Sequence, residues 1–213
     1  MVKSNLAITE IVFATGNLNK LKEIRFTASK FDIKIFSPVE IAEKFSLKKF
    51  AAPTEDGSTY LENALIKAKS CFEWCSIPSI GDDSGIEADI LNNAPGIYSA
   101  RYAGDNSTDK DKIEKLLKEL KLESNKQSIK SLTGRFRCAL ALVINEDVNL
   151  ISESTLEGRF LSEPRGERGF GYDPILEIDE FSRTLAEVDE DTVLNRGFRA
   201  KAALALFKKL NNY

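Results

Sequence analysis

The sequence predicts an α/β or α+β protein, and specifically an α/β arrangement of a mixed sheet with flanking helices. Three observations carry this. Ile11-Val-Phe-Ala14 is a short apolar run that ends at Thr15-Gly16-Asn17, as a buried strand entering a tight turn does. Leu61, Ala64, Leu65, Ala68, Cys71, Phe72 and Cys75 recur at helical spacing. Phe136, Cys138, Leu140, Leu142 and Ile144 alternate, and Asn145-Glu-Asp147 then turns the chain into a second strand near Val148–Leu156. Strands and helices are thus mixed along the chain, with an antiparallel pair in the middle.

The elements follow in order. After the first strand, Leu18 to Ser29 reads as a helix with Leu21, Ile24 and Ala28 on one face. Ile33 to Phe36 fits a second strand, and residues 37–53 match neither period. Thr59-Tyr-Leu-Glu62 has the form of a capping box and opens the helix that runs to Cys75. Ile77-Pro-Ser-Ile80 is an apolar approach to Gly81-Asp82-Asp83-Ser84-Gly85, which reads as a glycine-bounded acidic turn. Ile113, Leu116, Leu117 and Leu120 define a helix from about Lys110 to Lys121, followed by a polar surface connection over 123–131. A C-terminal helix covers about Arg199 to Leu210, with Ala203, Leu206, Phe207 and Leu210 inward. No repeat, long linker or low-complexity segment interrupts the pattern, so one domain is expected over residues 1–213.

Composition narrows the chemistry. The 213 residues are 42% hydrophobic and 30% charged, the balance of a soluble globular protein rather than a disordered one. A net charge of −3 argues against a broad footprint for polymeric nucleic acid, but a small phosphorylated ligand needs only a local cluster of cations. The chain has no histidine, which excludes histidine bases, histidine metal ligands and Ser-His-Asp chemistry. Any metal must sit on oxygen or thiolate. Cys71, Cys75 and Cys138 form no C-x-x-C and no disulfide framework, which fits buried thiols in a reducing cytoplasm. No apolar run approaches membrane-spanning length, and Met1 is not followed by a signal peptide's apolar core.

Four stretches could carry chemistry. Thr15-Gly16-Asn17-Leu-Asn19-Lys20 joins a strand end to a helix start, where unsatisfied N–H groups and the helix dipole favour anions and Lys20 is one turn in. It is not a Walker loop, because the second glycine and the Lys-Ser/Thr pair are missing. Glu55-Asp56-Gly57-Ser58-Thr59-Tyr60-Leu61-Glu62-Asn63 places Asn63 four residues before Lys67, so an amide and an ammonium share a helix face. That face suits a phosphate, or it is a solvated surface. Asp82 and Asp83 repel one another and are costly to bury without compensation, and hard divalent cations want oxygens in such an array. Gly169-Phe170-Gly171-Tyr172-Asp173-Pro174 combines backbone that can approach a flat ring, a ring to stack and a carboxylate to accept hydrogen bonds. It suits a nucleobase, or it is a loop whose aromatics pack into the core.

Taken together and in order, these residues resemble the inosine triphosphate pyrophosphatase family. The matching stretches are Thr15-Gly16-Asn17-x-x-Lys20, Glu55-x-Gly57-x-Thr59-x-x-Glu62-Asn63-Ala64-x-x-Lys67-Ala68, Asp82-Asp83-Ser84-Gly85, Ala94-Pro95-Gly96-x-Tyr98-Ser99-Ala100-Arg101-Tyr102 and Gly169-Phe170-Gly171-Tyr172-Asp173-Pro174. The resemblance spans Ile11 to Pro174. It implies hydrolysis of ITP, dITP and XTP to the monophosphate and pyrophosphate with Mg²⁺, by an elongated two-lobed fold with a central cleft, usually as a homodimer. It implies that Thr15, Gly16, Asn17 and Lys20 hold phosphates, with Asn63 and Lys67 nearby. It makes Asp83 the general base and, with Glu55, a metal ligand. It places Ser84, Phe170, Gly171, Tyr172 and Asp173 in the nucleoside pocket.

The C-terminal part departs from the pattern. The family normally carries a lysine and then Ser-His-Arg before its last helix; the lysine contacts the nucleotide and the histidine helps recognise the 6-keto purine. Here the segment reads Glu187-Val-Asp-Glu-Asp-Thr-Val-Leu194-Asn195-Arg196-Gly197-Phe198-Arg199, with neither residue. Asn195-Arg196-Gly197 is the nearest match to His-Arg-Gly, and Arg196 on the histidine position is the alternative. Asn195 and Arg196 are therefore expected to face the base. Two other readings stand beside the leading one: the same chemistry with a shifted base preference, and a nucleotide-binding protein without turnover.

Overall fold

Seven strands form one sheet in the order β2-β1-β3-β4-β5-β6-β7, in a computed structural model that describes residues 8–213. The first strand, β1 (Glu10–Phe13), runs parallel to β2 (Lys34–Phe36) and to β3 (Ser79–Ala88). From β3 onward the pairing is antiparallel, through β4 (Thr133–Val143), β5 (Asn149–Phe160), β6 (Leu176–Ile178) and β7 (Arg183–Thr184). The mixed sheet with flanking helices expected from the sequence is the one observed.

The helices α1 (Leu18–Ser29) and α3 (Tyr60–Cys75) have the predicted bounds. Both start where the sequence provides a cap. Asn17 Oδ1 accepts from the amides of Asn19 and Lys20, and Thr59 exchanges bonds with Glu62 in a capping box. The unassigned stretch 37–53 contains α2 (Pro38–Phe45), capped by Ser37 with Glu40 closing the box and Pro38 in its first turn. The helix α4 (Asp109–Gln127) runs on past Lys121 through most of the expected surface connection. The last helix, α6 (Phe198–Asn211), follows a short helix that the sequence reading did not pick out, α5 (Glu190–Arg196).

Both faces of the sheet are covered. Along β4, Cys138, Leu140 and Leu142 join the large core with Leu21 and Ile24 of α1 and Leu206 and Phe207 of α6. The alternate residues Ala139, Ala141 and Val143 pack with Tyr60, Ala64 and Ala68 of α3. That second contact is close because β3 has a glycine there. A Cβ on Gly81 would lie 2.0 Å from the carbonyl oxygen of Ala64. Small residues on α3 and a glycine on β3 thus bring the helix directly onto the strand that carries the two aspartates.

Candidate active site

The expected acidic turn is a correction. Gly81 to Gly85 are the middle of β3, hydrogen-bonded along β4 with Asp82 opposite Leu140 and Asp83 opposite Ala139. Successive side chains of a strand point to opposite faces. The adjacent carboxylates therefore do not share a site. Asp83 goes to the α3 face and Asp82 to the α1–α6 face, so each carboxylate has its own cationic partner and their mutual repulsion is only a minor influence on Asp83.

On the α3 face, four sequence-predicted residues meet. Asn63 Nδ2 donates to Asp83 Oδ2 at 3.1 Å, and Lys67 Nζ donates to Asp83 Oδ1 at 3.2 Å. The same ammonium donates to Glu55 Oε2 at 2.9 Å. Asn63 and Lys67 share a helix face because they are four apart, so the predicted spacing does bring them together. They meet carboxylates there. Asn63 Oδ1 also accepts from the Gly57 amide at 2.9 Å, which ties the segment bearing Glu55 to the helix. Burial pushes the Asp83 carboxyl above its usual range, against the opposing pull of Lys67 and Asn63. Burial alone would lower the Lys67 ammonium, but the Asp83 charge and the Glu55 hydrogen bond outweigh it and hold Lys67 charged.

On the opposite face, Asp82 is the anchor. Arg199 Nε donates to Asp82 Oδ2 at 2.7 Å, Lys20 Nζ pairs with Oδ1, and Ser84 Oγ donates to Oδ1 at 3.1 Å. Burial would raise the Asp82 carboxyl, but Arg199 and Lys20 hold it well below the carboxylate range. Arg199 is 1% exposed, and it also donates through Nη1 to Glu23 Oε1 at 2.9 Å and through Nη2 to Ser84 Oγ at 2.8 Å. These bonds use three of the five guanidinium N–H groups.

A cavity of about 320 Å³ opens on this side, lined by Asn17 and Lys20, by Ser84 and Arg199, and by Phe170 to Asp173. A second cavity of about 440 Å³ lies beyond Phe170, next to Glu23, Asp173 and Val193. Gly16 faces open space: a Cβ built there meets nothing within 4 Å. Thr15 Oγ1 accepts from the Asn17 amide at 3.1 Å, shaping the turn before α1. Asp173 is buried and accepts from the Phe170 amide at 2.9 Å, and burial pushes its carboxyl up to about 7. Tyr172 is anchored by its hydroxyl, which donates to the Ser99 carbonyl at 2.9 Å, so it serves the wall of the cavity from the core.

Asn195 and Arg196 are not brought to either cavity. Within α5, Val193 and Leu194 face inward, which turns the next two residues outward. Asn195 accepts from Lys30 Nζ at 2.7 Å and donates to the Asp191 carbonyl, and Arg196 pairs with Glu180 at 2.6 Å. The expectation that they face the base is corrected. A Ser-His-Arg run set at the start of the last helix, with its serine at the N-cap, falls instead on Gly197-Phe198-Arg199, where Phe198 stacks on Phe136 with centroids 5.1 Å apart. Arg199 was missed because it was counted as the first residue of an amphipathic helix. The available signal was an arginine at the N-terminal end of a helix, where the dipole disfavours a cation unless carboxylates hold it.

Comparison with known proteins places this geometry. A sequence profile of the Ham1 family matches residues 11–209. The dITP/XTP pyrophosphatase of Vibrio parahaemolyticus is 38% identical over 204 residues, covering 95% of this chain and 96% of that protein. The structure of a HAM1 protein from Coxiella burnetii superposes with a TM-score of 0.81 at 35% identity, covering 95% of this chain and 98% of the other. The nucleoside-triphosphatase / dITP/XTP pyrophosphatase from Mycobacterium abscessus gives a TM-score of 0.70 at 31% identity over 92% of this chain and 97% of the other. With the profile match covering most of the chain and both faces of β3 built from its motif residues, the protein belongs to the Ham1 family.

Proposed function

We propose that the chain hydrolyses non-standard purine nucleoside triphosphates, ITP, dITP and XTP, to the monophosphate and pyrophosphate, and so cleanses the nucleotide pool. The observation that carries this is the division of labour across β3. A buried carboxylate, Asp83, sits on one face with Lys67 and Glu55, and a base-sized cavity with a buried arginine lies on the other. Thr15-Gly16-Asn17 and Lys20 hold the phosphates, with Asn17 and Lys20 lining that cavity. The nucleotide-binding reading without turnover is not favoured, since Asp83 and Glu55 meet at Lys67 on one face of β3 and Lys20 is held at Asp82 on the other.

Asp83 takes the proton of the attacking water. Its carboxyl, raised by burial, is a better base than an exposed aspartate. Lys20 and Lys67 offset phosphate charge as point cations. Mg²⁺ fits the donor set: Glu55 and Asp83 offer only carboxylate oxygens and already converge on one cation, the Lys67 ammonium. Among the described residues no cluster of three or more His, Cys, Asp or Glu forms a metal site. Mg²⁺ needs only one or two carboxylates plus substrate phosphates and water. When bound, Mg²⁺ neutralises phosphate charge and lowers the pKa of a bound water. One domain acting as a homodimer in the cytoplasm completes this reading. No described helix is long and apolar enough to cross a membrane.

Base preference follows from Arg199. Its two N–H groups not used by Asp82, Glu23 and Ser84 can donate to a 6-keto oxygen, and they oppose the 6-amino group of adenine. Phe198, stacked on Phe136, offers the base an apolar edge and no hydrogen bond. A hydrogen bond to a charged donor is worth about 1.5–3 kcal/mol, so kcat/KM for ITP and XTP should exceed that for ATP by at least about tenfold. A steady-state panel of ITP, XTP and ATP tests this. Equal values would remove Arg199 from base recognition and leave the shifted-preference reading in its place.

A further inference from the structure

The loop that carries Phe170 is tied to its surroundings before the ring: the Arg165 amide donates to the Pro174 carbonyl at 2.9 Å and the Arg168 amide to the Ala186 carbonyl at 3.3 Å. Residues 162–169 are exposed, and Gly169 and Gly171, on either side of Phe170, have φ of +78° and +62°. Phe170 is half-buried and borders both cavities described above. Its own amide is held within the loop by Asp173. The next amide, of Gly171, is held from outside: it donates to Asp109 Oδ2 at 2.6 Å, across 62 residues of sequence. The other oxygen of Asp109 pairs with Lys112 Nζ at 2.6 Å, one turn along α4. Lys112 is 13% exposed at its side chain and points the carboxylate at the loop.

We infer that Asp109 is a positioning residue: its carboxylate, oriented by Lys112, clasps the Gly171 amide and so fixes the Phe170 ring against which the nucleobase stacks. This rests on the proposed nucleotide reading for the stacking role, and on the observed contacts for the clasp. A charge-assisted bond to a backbone N–H is roughly twice as strong as a neutral one, and it can fix only one of the orientations that two left-handed glycines permit. Asp109 also lines the smaller cavity, but its two oxygens are engaged by Gly171 and Lys112, so its removal should act on binding rather than on the chemical step.

The test uses Asp109→Ala, Asp109→Asn and Phe170→Ala in the full chain. Base–aromatic stacking is worth about 1–3 kcal/mol, so Asp109→Ala should raise KM for ITP by about tenfold, with kcat changed by less than about twofold. Asp109→Asn keeps an acceptor oxygen and should recover most of the KM. In the Phe170→Ala background, Asp109→Ala should add less than about twofold, because residues acting through one contact are not additive. Hydrogen–deuterium exchange supplies a readout independent of turnover: protection at Phe170 and Gly171 should fall in Asp109→Ala and persist in Asp109→Asn. Unchanged KM, a full additional loss in the Phe170→Ala background, or unchanged protection would each overturn the clasp. If the unaltered chain fails to hydrolyse ITP, the functional reading falls while the exchange measurement still decides whether Asp109 holds the loop.

Discussion

Asp83→Asn is expected to lower kcat for ITP by at least about 10²–10⁴-fold, the range for loss of a positioned acid or base. The amide has the same shape, so one of the two bonds from Asn63 and Lys67 can persist, and Lys67 keeps Glu55. Asp83 is buried with a raised carboxyl, so its charge is held there at a cost, and a neutral replacement relieves that cost. The fold should therefore survive, with an unfolding midpoint close to that of the parent. The amide can neither take a proton nor act as an anionic ligand. A folded Asp83→Asn protein with near-parental kcat would remove Asp83 from the chemistry.

The largest stability effect is expected at Arg199. Arg199→Met removes the guanidinium that pairs with both Asp82 and Glu23. Asp82 retains Lys20 and Ser84, but Glu23 has no other side-chain partner among the described residues and is 7% exposed. Breaking a buried pair by removing one partner costs about 3–5 kcal/mol. The loss should depend on pH. Burial already raises the Glu23 carboxyl above its ordinary value, and Arg199 opposes that rise. Without Arg199 it rises further. A carboxyl raised in the folded state binds a proton that the unfolded chain has released, so its contribution is present below the unfolded value and lost as pH increases through the folded one. Arg199→Met should thus be least destabilised near pH 5 and most destabilised near pH 8, and adding Glu23→Gln should flatten that dependence. Urea unfolding at several pH values measures this. A loss below about 1 kcal/mol throughout would mean that the network is not the keystone of this face.

How much of this was legible in the sequence can be judged residue by residue. The caps at Asn17 and Thr59 act through bonds spanning only a few residues, so α1 and α3 could be placed to the residue. Ser37-Pro38-x-Glu40 carries the same local signal for α2, although the stretch that follows it matches neither the helical nor the strand period. The error at Asp82-Asp83 was of another kind. Local composition favours a turn there, and only the tertiary partners on both faces, Arg199 with Lys20 and Asn63 with Lys67, make two buried carboxylates tolerable in a central strand. The residues on the α3 face were legible because Glu55, Asn63, Lys67 and Asp83 lie within motifs of fixed spacing. Arg199 and Asp109 were not, because each acts on a partner far away in sequence, Asp82 at 117 residues and Gly171 at 62. Asn195 and Arg196 were misplaced because the segment was aligned by its residues and not by the start of α6, which puts Arg199 in the cavity wall.

The central claim is that this chain cleaves the bond between the α- and β-phosphates. The most direct measurement is product analysis of ITP hydrolysis with Mg²⁺ by phosphorus NMR. IMP and pyrophosphate in equal amounts, with no IDP at early times, are the expected products. IDP with orthophosphate would contradict the proposed reaction, whatever the rate.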